Sequence, residues 1–341
     1  MTTRRAFLAV SIAATASPFV AAAQQRTRTW RIGYLSPGSP SAAARRLESF
    51  RQALRELGYV EGQNISIDYR WAEGKLERLP ELAIELTQLK VDVIVTYSNA
   101  CVGALRKVTR TIPIVFASAG DPVASGFAVS LARPGGNITG FTGLPEELSR
   151  KWVELLREAV PTVFRIAVLT LSRDLAANPL ISDRRECRNQ NCRLWLEIED
   201  ASKAVKAIPL LAAIARADEI EQAFANLIKN GAQGLIVLPN AVTNANRARI
   251  VSLAAQHRLP GMYPFSEYVE AGGLMSYAAN HADMHRRAAT YVDKILKGVH
   301  PGDLPIQQPT TFELAVNMKT ATALGITFPQ TVLMRVDKAI E

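Results

Sequence analysis

Cysteine is scarce in this chain: three in 341 residues cannot staple a small disulfide scaffold. Charge is modest too, with Asp, Glu, Lys and Arg at 21% against 48% hydrophobic residues. That balance excludes a disordered acidic or basic tail protein. Long apolar runs are missing. Composition therefore also excludes a polytopic membrane protein, and the apolar stretch near the N-terminus is too interrupted by Ser11, Thr15, Ser17 and Pro18 for a transmembrane helix. Catalytic signatures are also absent: there is no Gly-x-Ser-x-Gly elbow, no phosphate loop, and no Gly-x-Gly-x-x-Gly after the first apolar run. What is left is enough apolar content for real cores and a length that suits two domains.

Residues 1–23 carry the marks of an export signal. Arg4 and Arg5 form a positive n-region, Ala6 to Ala16 an apolar h-region, and Ala21-Ala22-Ala23 a cleavage site ahead of Gln24. Thr3 to Leu8 also resembles a twin-arginine signal, which exports a folded chain; ordinary Sec export is the other route. With no cysteine at the cleavage site, no lipid anchor is expected. Export leads to an oxidising compartment, where Cys187 and Cys192 either close a small loop or remain two thiols. Cys101 reads as a small buried residue near a helix start. Losing Arg4 and Arg5 with the leader takes the net charge from +9 to +7. The basic residues are spread over many helices, apart from a cluster at Arg184, Arg185, Arg188 and Arg193, so a solvated basic surface is expected and no nucleic acid partner.

Apolar patterning alternates between strands and helices. Trp30 to Ser36 is a buried strand stopped by Pro37-Gly38. A helix with Leu47, Phe50, Leu54 and Leu57 on one face follows and ends at Gly58. Asn64 to Tyr69 alternates as a strand, Leu76 to Leu89 carries a helical stripe, Val91 to Thr96 is a strand, Asn99 to Val108 a helix, and Ile112 to Phe116 a strand. Pro134-Gly135-Gly136-Asn137 reads as a tight turn into a crossover strand. A second round has strands at Ile166–Leu169, Ile208–Ala213, Gly234–Leu238 and Leu259–Tyr263, with helices at Asp218–Lys229 and Asn244–His257. The pair Asp92–Thr96 and Ile112–Val115 rhymes with Gly234–Leu238 and Leu259–Met262, a weak internal repeat that favours two similar α/β lobes.

In open parallel sheets ligands bind beyond the carboxyl ends of the strands, where helix N-termini present unpaired N–H groups. Those ends carry Ser36, Tyr97-Ser98-Asn99 and Ser118 to Pro122 in the first half, and Leu171-Ser172, Pro239-Asn240 and Tyr263-Pro264-Phe265 in the second. Such turns suit a small polar or anionic group, with Tyr97, Tyr263 and Phe265 as apolar walls. Ser98, Asn99 and Asp121 are equally good helix caps, and the two roles are compatible. His281 and His285 stand four apart, but His-Ala-Asp-Met-His lacks the metalloprotease glutamate. They border the stripe Met284, Ala288, Tyr291, Val292 and Ile295, so packing or first-turn histidines are expected and no metal. Glu146-Glu147 and Glu199-Asp200 are sequence neighbours and form no acid–base dyad.

Five blocks then carry a resemblance: FRQALRELGYVEGQN at 50–64 running on to YRWAEG at 69–74, IPIVFASAGDPVASG at 112–126, LARPGGNITG at 131–140, YPFSEYVEAGGLMSY at 263–277, and LPIQQPTTFELAVNMKTATALGI at 304–326. Together they resemble the ABC-transporter substrate-binding proteins that include the tryptophan-binding TrpX type. The resemblance implies a type I periplasmic binding protein: α/β, with two Rossmann-like lobes of parallel sheet joined by a three-strand hinge. The first lobe would be 24–143 with 279–312 returning to it, and the second 144–278 with 313–341 as a tail. The chain would cross near 141–146, 276–280 and Glu313–Asn317. By likeness, Ser36, Ser98, Asn99, Asp121 and the turn at Asn240 would hold the ligand, although Pro239-Asn240 stands where relatives often carry an aspartate. Residues 173–207 depart from the family pattern.

The expected function is an exported, periplasmic solute-binding protein, a monomer without cofactor or catalysis. It would capture an aromatic amino acid or similar amphipathic carboxylate and deliver it to an inner-membrane permease and its ATPase. A ligand-sensing module that signals to a membrane receptor is the alternative. A Rossmann-type enzyme is a third reading, disfavoured by the missing phosphate loop.

Overall fold

The computed structural model describes residues 29–143, 148–171, 175, 187 and 190–341. The expected leader, the pair Glu146-Glu147 and Arg184, Arg185 and Arg188 of the basic cluster lie outside the described residues.

The first sheet is built from β1 (Trp30–Ser36), β2 (Ile65–Trp71), β3 (Val93–Thr96), β4 (Ile114–Ala119) and β5 (Ile138–Thr142). All five strands are parallel, in the order β2-β1-β3-β4-β5. Between them run α1 (Pro40–Glu56), α2 (Leu79–Gln88) and α3 (Asn99–Val108). The second half contains α4 (Leu148–Ala159), β6 (Arg165–Leu171), α5 (Gln190–Ala204), β7 (Ile208–Ile214), α6 (Ile220–Lys229), β8 (Gly234–Val237), α7 (Ala241–Ala245), α8 (Arg247–Gln256), β9 (Gly261–Tyr263), α9 (Ser266–Glu270), β10 (Met275–Ala278) and α10 (His281–Leu296). It closes with β11 (Glu313–Asn317), α11 (Met318–Leu324), α12 (Gln330–Leu333) and β12 (Lys338–Ile340). The second sheet runs β12-β11-β10-β9-β8-β6-β7, so β7-β6-β8-β9-β10 repeats the first sheet's order and only β10–β11 is antiparallel. The sequence rhyme of β3 and β4 with β8 and β9 thus joins strands at equivalent positions of two like sheets.

Local chemistry explains the elements. β3 and β8 are buried at every residue, as strands covered by helices on both faces must be. α1 starts at Ser39, whose hydroxyl accepts from the Ala42 N–H, with Pro40 in its first turn. It buries Leu47, Phe50 and Leu54 on one face, and Gly58 leaves in the left-handed region at φ +88°. α10 buries the stripe seen in the sequence, Met284, Ala288, Tyr291, Val292 and Ile295, packing on α1 and β4 of the first sheet. The expected helix over Asn244–His257 is instead two pieces, α7 and α8. Asn240 caps α7 and Asn246 separates it from α8, donating its side-chain amide to the Val242 carbonyl.

The chain passes between the two sheets after β5, between β10 and α10 at Ala279-Asn280, and before β11. Gln307 runs parallel to β5, donating to the Gly140 carbonyl and accepting from the Thr142 N–H at 3.0 and 2.9 Å. Asn280 ties the last two passages together, donating to Glu313 Oε2 at 2.9 Å. The third passage comes just before Glu313, from which the segment Glu313–Asn317 pairs along β10 as a full strand. The basis of Gly140 is visible here. Its φ is +151°, and a Cβ at that position would run into the Phe116 carbonyl of β4.

Candidate functional site

The carboxyl ends of both sheets face one another across a cavity of about 750 Å³, within the size range of small-molecule sites. From the first lobe come Gly74, Leu76 and Glu77 after β2, Tyr97 to Ala100 after β3, Ser118 to Gly120 at the end of β4, and His281 at the start of α10. The second lobe supplies Gln190 and Asn191 at the start of α5, Ala215 to Ala217 after β7, Pro239, Asn240, Val242 and Asn244 around α7, and Phe265 after β9. Parallel strands deliver their carboxyl ends to one side, which is why segments so far apart in sequence meet here.

Five of the eight residues singled out from the sequence line this cavity: Tyr97, Ser98, Asn99, Asn240 and Phe265. Ser98 sits at φ +74°, a strained position for a residue with a side chain, and its hydroxyl faces the Cys101 N–H at the cap of α3. Asn99 accepts from the Gly120 N–H at 2.7 Å and donates to Ser125 Oγ at 3.1 Å, joining the β3 and β4 turns. The Asn240 side-chain Oδ1 accepts from the Val242 and Thr243 N–H groups at 2.9 Å each, leaving its Nδ2 buried in the wall without a partner.

The other three lie outside that lining. Ser36 is fully buried at the end of β1 and accepts from the Gly38 N–H, so it shapes a turn behind the wall. Asp121 lies outside the lining. It caps the following turn through the Val123 and Ala124 N–H groups and faces Arg193 of the second lobe at 3.8 Å. Tyr263 is buried and stacked on Tyr268, 5.2 Å between centroids, filling the space that Gly261 and Gly273 leave open. A strand's last residue points to one face of the sheet or the other, and sequence alone did not say which of these faced the cleft.

Sequence reasoning missed His281. It is 6% exposed yet lines the cavity, with Nε2 3.5 Å from Ser118 Oγ and its ring 3.9 Å from that of Phe265. Behind it stands a buried charged group. Arg46 of α1 donates to Glu267 Oε1 of α9 at 3.0 Å and to the Tyr97 hydroxyl at 3.1 Å, while His281 Nδ1 lies 3.7 Å from the same Glu267 oxygen. Burial opposes the charge on Glu267, but the neighbouring His281 imidazole and the Arg46 guanidinium outweigh it, holding the carboxyl well below its usual range. His285 is fully buried and donates from Nδ1 to the His281 carbonyl at 2.8 Å, a tautomer assigned from that bond. Burial, reinforced by Arg46, pushes its pKa down to about 3, so it is neutral at pH 7. The spacing of the two histidines was legible as a helix start, whereas the partner Glu267, fourteen positions upstream on another element, was not.

Cys187 and Cys192 are joined in a disulfide, with Cys192 fully buried in the first turn of α5. Cys101 is buried in α3, and burial pushes its thiol up to about 12. Among the described residues no group of three or more His, Cys, Asp and Glu side chains is arranged to hold a metal ion, and no helix is long and apolar enough to cross a membrane.

A family model described as ABC transporter substrate binding protein matches residues 38–340. The chain is also 25% identical, over 281 residues, to a protein of Clostridioides difficile strain R20291 named tyrosine-binding protein; the match covers 82% of this chain and 76% of the relative. Among solved structures, a conserved domain protein of Vibrio cholerae superposes with a TM-score of 0.80 at 25% identity, covering 92% of this chain and 100% of that one. An ABC domain of Streptococcus pneumonia in complex with L-Trp gives the same TM-score and the same coverage at 23% identity, which speaks for the fold.

Proposed function

The chain belongs to the ABC transporter substrate-binding protein family, and from that premise we propose that it captures an aromatic amino acid, or a similar amphipathic carboxylate, between its two lobes and delivers it to a membrane permease. The observation that carries the reading is the cavity itself: 750 Å³ between the carboxyl ends of two like sheets, with both lobes contributing walls. The ligand carboxylate meets the first-turn N–H groups of α3 at Asn99 and Ala100, which have no partner inside the helix and lie at its positive end. Asn240 Nδ2, an unsatisfied donor on the facing wall, supplies a further hydrogen bond. Phe265, Tyr97, Leu76 and Val242 enclose the apolar end. Contacts from both lobes form together only when the cleft is shut, so a ligand shifts the lobes toward the closed state. No bond is made or broken. The leader at residues 1–23, by the twin-arginine or the Sec route, would place the mature chain outside the cytoplasmic membrane, where such a carrier works.

Calorimetric titration of residues 24–341 with tryptophan, tyrosine, phenylalanine and leucine tests this. Micromolar or tighter binding of at least one aromatic amino acid is the expected result. No heat with any of the four, from a folded sample, overturns the amino-acid assignment.

A further inference from the structure

Among the described residues, arginine–carboxylate pairs bridge the lobes at Arg45–Glu270, Asp121–Arg193 and Arg46–Glu267. In the first two at least one member is well exposed, and such pairs contribute little. The third differs. The Arg46 side chain is 9% exposed and that of Glu267 16%, one from α1 of the first lobe and the other from α9 of the second. Arg46 is held in place on its own side by the Tyr97 hydroxyl and by the Tyr97 ring, 4.6 Å from the guanidinium carbon. Glu267 is faced in addition by His281, which lines the cavity at the second passage between the lobes.

We propose that Arg46 and Glu267 form a latch between the lobes, and that His281 ties it to the cavity, so that closure of the cleft and ligand capture are one event. The ligand-linked half of this rests on the reading given under Proposed function; the latch itself does not. The physical basis is desolvation. With the lobes apart both charges are hydrated. Closing strips water from both, which is tolerable only if each finds the other in the right geometry. Removing one partner strands a buried charge and disfavours closure, whereas removing both relieves the penalty. Glu267 and Arg46 act here as positioning residues: neither lines the cavity, and both act through Tyr97 and His281, which do.

The test uses spin labels at Lys107→Cys and Lys229→Cys, one exposed site on each lobe, and reads the distance distribution without ligand. The native cysteines do not interfere, since Cys101 is buried and the others are bonded. Expected is a short-distance population that falls at least threefold in Glu267→Gln and in Arg46→Met, and recovers in the double variant Arg46→Met/Glu267→Gln, with all variants showing native circular dichroism. Where an amino-acid ligand has been found, Glu267→Gln also raises its dissociation rate at least tenfold and leaves the association rate unchanged, a split that a general loss of stability would not produce. Identical distance distributions in wild type and Glu267→Gln overturn the latch, as does a double variant that stays as open as the singles. If none of the amino acids binds, the function reading fails and the distance measurement still decides the latch.

Discussion

Asn99 works in two directions at once. Its side chain fastens the β4 turn to α3 through Gly120 and Ser125, while its backbone N–H begins the helix end that faces the cavity. Asn99→Ala removes that brace, and ligand affinity is expected to fall by about 1–3 kcal/mol in the same calorimetric titration. Asp121→Ala is the contrast: it loses only a turn cap and a partly exposed ion pair, so affinity is expected to stay within about twofold. His285 makes a separate prediction about pH. The unfolded chain takes up a proton on this side chain near pH 6.5, and the folded chain only near 3. Throughout that window the unfolded state holds the extra proton, so stability falls as pH drops, on the order of 3 kcal/mol by pH 4 from this group alone. Urea midpoints at pH 7 and pH 4.5 should therefore lie closer together in His285→Gln than in wild type.

At the scale of elements, α5 is the piece the sequence left most open. Its first residues, Gln190 and Asn191, line the cavity, and the Cys187–Cys192 disulfide fastens its first turn. Closing so short a loop restrains the unfolded chain by about 2 kcal/mol at most. Cys187→Ser/Cys192→Ser is expected to lower stability by no more than that in chemical denaturation. It should also weaken ligand binding, because the end of α5 that reaches the cleft is no longer anchored. Unchanged affinity would mean that Gln190 and Asn191 are held by packing alone. Other elements were readable because their signals are local. α3 spans the residues expected of it, Asn99 to Val108, because Ser98 caps it and its apolar face repeats at helical spacing. The break at Asn246 was not readable. An asparagine inside a helical pattern becomes a terminus only when its side chain finds the preceding turn's carbonyl, as it does at Val242.

Across the whole molecule, the proposed ligand capture depends on how closely the lobes approach. Gly120 of the first lobe faces Gln190 of the second, and a Cβ there would collide with the glutamine side-chain amide. Its backbone conformation admits other residues, so Gly120→Ala is expected to leave chemical stability within about 0.5 kcal/mol. By holding the lobes apart it should weaken ligand affinity by about fivefold, roughly 1 kcal/mol. Wild-type affinity in that variant would show that Gln190 swings aside without changing the cleft.

Periodicity and turn chemistry along the chain sufficed for the α/β class, the two like sheets and the capped helix starts, since each of these is specified by neighbours within a few residues. They also marked the strand ends where a site should form, because parallel sheets bring those ends to one edge. Which side of that edge each residue faces depended on registry and packing, and there Ser36, Asp121 and Tyr263 turned away while Phe265, Gln190 and His281 turned in. The pairing of Arg46 with Glu267 joins residues 221 positions apart on two lobes. No local pattern encodes such a contact. It exists because the chain passes between the sheets and brings α1 and α9 together beside the cavity.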